Sequence, residues 1–245
     1  MNPTIDLLNS HRSIRAFTEQ PVSQEIINTL VSSGQSAATS SFIQACTVIQ
    51  IEDKSKRSKL AECAGNQKYV EQAPVFLVFC ADMQRHKLAC EMHDEEMMSG
   101  FTEQFTTATL DCGLFAQNVA IAAESLGLGV VYIGGIRNKI ADVSDLLDLP
   151  DLVYPVFGMC IGYPDQAPEV KPRLPLAVVL KKDSYINVQD STLMADYDNI
   201  IREYYRSRTG GNKEMSWSEQ ISGMLTKEAR PHMLSYLQSR GYLLK

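Results

Sequence analysis

Residues 101–126, FTEQFTTATLDCGLFAQNVAIAAESL, decide how the rest of the chain is read. Phe105, Cys112, Phe115, Val119, Ala122, Ala123 and Leu126 recur at helical spacing and make a wide apolar stripe. Gly127 follows as a left-handed cap. A helix this long, apolar over much of its circumference, is usually the central spine of a domain or of a dimer. The stretches around it supply strands. Residues 75–81, VFLVFCA, are continuously apolar, which predicts a central strand covered on both faces. Residues 129–133, GVVYI, predict another strand, running straight into Gly134-Gly135. Residues 47–51 predict a buried strand, and 156–163 and 176–180 two more.

The remaining helices carry their own start and stop signals. Asn2-Pro3 fits N-cap then N1 and opens a helix over 3–9. Ser23 opens a second, with Ile26, Ile27, Leu30 and Val31 at helical spacing and Gly34 to close it. Asp53 caps a helix to Ala64, before Gly65. Residues 140–147 and 192–206 read as helices, and Ser216-x-x-Glu219 is a capping box. Pro231 opens a last helix that closes at Gly241. Within the polar stretch 83–100, His86 and His93 are seven apart and could share a helix face; metal binding would need further ligands, and an exposed helix is the favoured reading. Strands and helices alternate throughout, with a helical C-terminal appendage, which supports an α+β fold. The expected division is a core over 1–190 and a helical extension over 191–245.

Composition narrows the function classes. The formal net charge is -6, with 44% apolar and 21% charged residues, ordinary for a globular protein and unsuited to binding a polyanion. No apolar run approaches the roughly 18 residues that cross a bilayer. The first residues lack the basic-then-apolar layout of a signal peptide. Cys46, Cys63, Cys80, Cys90, Cys112 and Cys160 show no C-x-x-C spacing and read as reduced, mostly buried thiols. A cytoplasmic location is the expectation.

Neither a G-x-G-x-x-G, a G-x-x-x-x-G-K-[ST] nor a G-x-S-x-G motif is present, so dinucleotide, P-loop and hydrolase-elbow signatures are missing. No nucleophile or acid–base pair emerges. Three stretches suit an anion or a polar ring. His11-Arg12-Ser13-Ile14-Arg15 and Lys171-Pro172-Arg173 each place two permanent cations within a few residues, and a guanidinium is a planar fork of donors for phosphate or a carbonyl-rich ring edge. Gly134-Gly135 after a strand lets backbone N–H groups approach a flat ligand. Each has a plainer reading: Arg12 and Arg15 as the solvated end of the first helix, and Gly134-Gly135 as a simple turn. The small, hydroxyl-rich run 37–41 is a loop or a close approach of backbone to ligand.

Read in order, HRSIR at 11–15, SSF at 40–42, AGNQ at 64–67, FCAD at 79–82, AAESLGLG at 122–129, YIGGIRN at 132–138, FGMC-x-GYPDQ-x-PEVKPRLP at 157–175, EYY-x-SR at 203–208 and Ala229-Arg230-Pro231 resemble the nitroreductase-fold, FMN-dependent oxidoreductases, in particular the oxygen-insensitive NADPH nitroreductases and NADPH–flavin oxidoreductases. The resemblance covers almost the whole chain. It implies a mixed, mainly antiparallel sheet flanked by helices, in a homodimer. It implies tightly bound, non-covalent FMN, NADPH as co-substrate, and hydride passed by ping-pong turnover to nitroaromatics, quinones or free flavins. By the same resemblance, His11, Arg12 and Ser13 face the flavin phosphate and ribityl chain, Arg15 the pyrimidine edge, and Lys171 and Arg173 the phosphate. Thr39, Ser40 and Ser41 come from the partner subunit, Gln67 touches the ring, and Tyr132, Ile133, Gly134, Gly135 and Ile136 form the loop at its reactive side. Ser41, Phe42 and Arg230 line the nicotinamide or acceptor pocket, and Arg208 and Lys213 hold the 2′-phosphate of NADPH. No side chain is assigned to catalysis and no metal is implied. A dedicated flavin reductase, a flavin-binding module without turnover, and an acidic interaction protein without cofactor stand as alternatives.

Overall fold

The apolar run at 75–81 becomes the strand β2, Val75–Asp82, with every residue buried. In this computed structural model, which describes residues 2–245, β2 lies inside a four-stranded sheet. Its other strands are β1 (Cys46–Gln50), β3 (Gly129–Ile133) and β4 (Val153–Gly162), in the order β1-β2-β4-β3. All three pairings are antiparallel. A parallel bridge between Ser13 and Val130 stands outside the named strands. The strand expected at 47–51 starts one residue earlier and is half-buried throughout, because it is the edge of the sheet and only one side is paired.

The long helix is α6, Thr102–Ser125. The other helices of this part of the chain are α1 (Pro3–Asn9), α2 (Gln24–Gln35), α3 (Lys54–Cys63), α4 (Lys68–Gln72), α5 (Gln84–Glu91), α7 (Ile140–Leu146) and, near the C-terminus, α11 (Met233–Ser239). Ala116, Val119 and Ala123 of α6 pack with Leu77, Phe79 and Met159 on one face of the sheet. Leu60, Val70 and Val143 pack with Phe76, Val78 and Cys160 on the other. Burying a side chain of this size contributes about 1.5–3 kcal/mol, so the alternation along β2 anchors both layers. Gly34 does not close α2. It is buried within the helix, where a Cβ would lie 2.3 Å from the Phe115 ring, so its role is close packing of α2 on α6. Gly127, by contrast, has φ +76° and does cap α6.

Two further expectations change. His93 lies beyond the end of α5, and His86 points its Nε2 at the Ile43 carbonyl 2.5 Å away, so the two do not share a helix face. Among the described residues no group of three or more metal-ligating side chains occurs. Residues Leu176–Val179 form a short helix, α8, and not a strand. Pro175, with φ -55°, stands at the N-cap of this short turn of helix.

The chain divides into two compact units, one running through Ala167 and including Arg230–Lys245, the other Pro168–Ala229. In the first, the C-terminal residues join the core: Tyr242 donates to the Leu152 carbonyl at 2.7 Å, and the Tyr236 and Ser144 hydroxyls meet at 2.5 Å. The second holds α8, α9 (Asp190–Arg208) and α10 (Trp217–Leu225) around Tyr197, Ile201, Tyr204 and Tyr205. Ser216 caps α10 in the expected capping box with Glu219, and Asp198 accepts the Ser218 N–H at 2.9 Å. Among the described residues no helix is long and apolar enough to cross a membrane.

Candidate functional site

HRSIR leaves α1 and lies along β3. The Ile14 N–H donates to the Val130 carbonyl at 2.9 Å, and the Ile14 side chain is buried against Gly129. A Cβ at Gly129 would come within 2.5 Å of Ile14 Cγ1, so only glycine permits this approach. Anchoring through Ile14 leaves its neighbours at the surface. Arg15 is exposed, with its backbone N–H on Gln166 Oε1 at 3.1 Å. The Arg12 Nε donates to the Ser10 carbonyl at 3.2 Å, and Ser13 forms the bridge to Val130. His11 Nδ1 lies 2.6 Å from Glu124 near the C-terminal end of α6.

The opposite end of β3 runs into a 3-10 turn, Gly134–Lys139. Neither Gly134 nor Gly135 has positive φ, so their need for glycine is steric. A Cβ at Gly135 would stand 2.5 Å from the Ala64 carbonyl and 3.0 Å from Gln67 Nε2. That contact brings AGNQ against YIGG and places Gln67 beside the turn, with its Oε1 accepting from Tyr69. The Tyr132 hydroxyl reaches Gln117 Oε1 at 3.4 Å, and burial, followed by the charge of Glu124, pushes its pKa up to about 12. Ile133 and Ile136 are buried. Segments 11–15 and 132–136 thus share one short strand, HRSIR bridged at Val130 and the turn following Ile133, which suits a ligand with an anionic end and a flat end. Arg137 backs the turn: its Nη1 donates to the Val156 carbonyl, while burial and then the charge of Arg230 lower its pKa. Arg230 itself has φ +54° and donates from Nε to Asn138 at 2.9 Å.

Thr39, Ser40, Ser41 and Phe42 sit elsewhere in the same unit. Ser41, Phe42 and Gln44 have φ of 48°, 59° and 55°, a left-handed conformation costing L-residues roughly 1–2 kcal/mol each. Phe42 is 80% exposed. Holding this loop is Asp111, a buried carboxylate on α6, which accepts the Ser40 N–H at 3.2 Å and the Ala45 N–H at 3.0 Å. Asp111 and Glu124 are thirteen residues apart on one helix, about 20 Å at 1.5 Å per residue. The points at which the Thr39–Phe42 loop and His11 are anchored on α6 are therefore well separated within one protomer.

In the second unit, the cations predicted for two different phosphates gather on one pair of rings. Lys171 Nζ donates to the Tyr205 hydroxyl at 2.9 Å, and Lys213 Nζ lies 4.3 Å from the centre of the same ring. Arg208 donates to the Tyr204 hydroxyl at 3.2 Å. Tyr197 donates to the Pro172 carbonyl at 2.8 Å, tying the KPR turn to α9; Arg173 is exposed beside it. Burial pushes the Tyr205 phenol up, but the hydrogen bond and charge of Lys171, with Lys213 and Arg208, outweigh it and lower its pKa.

Sequence reasoning missed Asp111 and Arg137. Asp111 does leave a signal: an acidic residue on the apolar stripe of a core helix, one turn after the buried Thr107, needs a partner for its charge. Arg137 stands out only once the turn it supports is known.

The geometry can be set beside known proteins. Residues 8–163 match the nitroreductase family, and 171–245 the C-terminal domain of that family. The chain belongs to the nitroreductase family. Among nitroreductase relatives, an NADPH-flavin oxidoreductase of Vibrio harveyi is 46% identical over 98% of each chain. An oxygen-insensitive NADPH nitroreductase of Salmonella typhimurium is 43% identical over 99% of each. The solved Vibrio harveyi NADPH:FMN oxidoreductase complexed with NAD+ superposes with a TM-score of 0.92, 43% identity and full coverage of both chains.

Proposed function

We propose that this nitroreductase-family protein is an NADPH-driven, FMN-dependent oxidoreductase that reduces flat, electron-poor acceptors: nitroaromatics, quinones or free flavins. What carries the reading is full-length similarity above 40% to an NADPH-flavin oxidoreductase and an NADPH nitroreductase, with the flavin motifs of both ends of β3 in register along one strand. The donor set fits FMN, since it is cationic at one end and amide-rich at the other. Bound FMN would supply the two-electron chemistry, taking hydride from the nicotinamide and passing it on.

The side chains divide the remaining work. In the first unit His11, Arg12 and Ser13 would hold the phosphate and ribityl end, and in the second Lys171 and Arg173 are the residues assigned to phosphate. Arg15 would face the pyrimidine edge of the ring and offer it a charge-assisted hydrogen bond. Gln67 and the Tyr132–Ile136 turn face the ring. Thr39, Ser40 and Ser41 approach it from the second subunit, and Phe42 offers an apolar face to nicotinamide or acceptor. Arg230, Arg208 and Lys213 receive NADPH.

The protein works as a homodimer. The loop and His11 are anchored about 20 Å apart along α6, and a second copy supplies the loop that reaches each flavin site. Leu110 and Leu114, one turn apart on α6, are 61% and 49% exposed, an apolar strip suited to that contact. Six unpaired cysteines suit a reducing, cytoplasmic location. The test is anaerobic stopped-flow mixing of the purified protein with NADPH: rapid bleaching of bound flavin is expected, and colourless protein or unbleached flavin would contradict the reading.

A further inference from the structure

We infer that Asp111 is a positioning residue for the reaction: it sets the strained loop Thr39–Ala45 in the one shape that presents Phe42 and Ser41 to the nicotinamide or acceptor. The inference rests on the function proposed above for that loop. Three observations carry it. One carboxylate bridges both ends of the loop, taking the Ser40 N–H on Oδ1 and the Ala45 N–H on Oδ2, at 3.2 and 3.0 Å. Between those ends, three residues other than glycine hold left-handed φ, a conformation the chain leaves unless restrained. Finally, packing restrains the loop only in part, through Ile43 and the buried Ala45. A cavity of about 40 Å3 lies beneath the loop, lined by Thr39, Gln44, Asp111 and Phe115 among others, and the tip residue Phe42 is exposed.

Other ties hold single points of the loop: the Ile43 carbonyl meets His86 Nε2 at 2.5 Å, the Gln44 carbonyl accepts from Arg85 Nη1 at 3.4 Å, and the Ala45 carbonyl accepts the Asp82 N–H at 3.1 Å. Gln44 N–H donates to Thr39 Oγ1 at 3.1 Å, and Ile43 N–H to the Ser40 carbonyl at 2.9 Å. These last two shape the turn internally. Asp111 alone connects both of its ends to the rigid helix α6, so the direction in which Phe42 points is set from there. Buried deep in α6 and beneath the loop, Asp111 acts through backbone geometry and has no need to touch substrate.

Asp111→Asn is the direct probe, because the amide nitrogen cannot accept an N–H. Hydrogen exchange at the Ser40 and Ala45 amides should quicken at least tenfold. The KM for NADPH should rise about tenfold, with kcat within twofold and bound FMN retained. Adding Gln44→Gly, which relieves one left-handed φ outside the binding residues, should restore most of both effects. Gln44→Gly alone is an independent probe should Asp111→Asn fold poorly: it should slow exchange of the two amides and leave KM unchanged or lower. Faster exchange in that variant would overturn the inference. So would quickened exchange in Asp111→Asn with unaltered KM, or a fall in Tm as its sole effect. Wild-type protein that binds no FMN would instead refute the proposed function, while the exchange measurements would still report on the clamp.

Discussion

Tyr132 and Tyr205 are the same side chain in opposite surroundings, and the contrast separates the two units. Tyr132 stands on a strand, walled in by Phe157 and near Glu124, so its phenol resists ionisation up to about 12. Tyr205 stands on a helix among Lys171, Lys213 and Arg208, which draw its pKa below the ordinary 10.0 despite burial. In the first unit, the groups assigned to the ligand are placed by the backbone: Ile14 fills the core, Gly129 and Gly135 allow close approach, and polar neighbours are carried along. In the second, they are placed by side-chain contacts between cations and aromatic rings. Backbone placement is rigid and fails as a block. Cation–ring placement is local, and its members can be exchanged one at a time.

Paired glycine substitutions are the sharpest way to break this contrast. Gly129→Ala drives a Cβ into Ile14, whereas Gly210 (φ +59°) has nothing within 4 Å of a Cβ. Gly129→Ala should cost about 1–3 kcal/mol in denaturant unfolding and lose flavin, because HRSIR is displaced. Gly210→Ala should cost only the roughly 1 kcal/mol of a left-handed φ and keep its flavin. Equal losses would erase the distinction. Next in size, Arg208→Ala should raise the KM for NADPH about tenfold and that for NADH by far less, since the 2′-phosphate is the difference between them. Matching rises would show that the cluster on Tyr204 and Tyr205 serves another purpose.

The smallest effect is on titration, followed by ultraviolet difference absorbance. In Tyr205→Phe the earliest phenol to ionise should disappear, and in Tyr132→Phe a late one near pH 12. The signs also differ for stability. Above pH 10, Tyr132 ionises in the unfolded chain first, so stability falls as pH rises towards 12. Tyr205 ionises in the folded chain first, so its contribution grows from its lowered pKa up to about pH 10 and stays above it. A common midpoint for both phenols would remove the contrast.

Much of this was legible in the sequence because the decisive signals are local. The unbroken apolar run at 75–81 could only be an interior strand, and Asn2-Pro3, Ser23, Asp53 and Ser216 marked helix starts with side chains that do accept the expected N–H. Errors arose where tertiary context decides. Gly34 looks like a helix terminator until Phe115 is seen against it, and 176–180 reads as a strand by composition although Leu176–Val179 folds as a short helix after Pro175. The site was legible as motifs but not as an arrangement. Nothing in the order of residues says that Asp111 clamps the loop before β1, or that His11 and Ser40 are bonded to opposite halves of one helix.

That last separation makes the claim of a shared site directly testable by subunit complementation. Arg15→Ala impairs the half-site on β3 and Phe42→Ala the half-site on the loop, so each homodimer carries two damaged sites. In a mixed dimer one site collects both lesions and the other none. Dissociating and reassociating equal amounts should therefore restore about a quarter of wild-type turnover, the share expected when half the dimers are mixed and each has one intact site. Activity no greater than the average of the two variants, with mixed dimers shown to have formed, would place the whole site within one protomer and contradict the account.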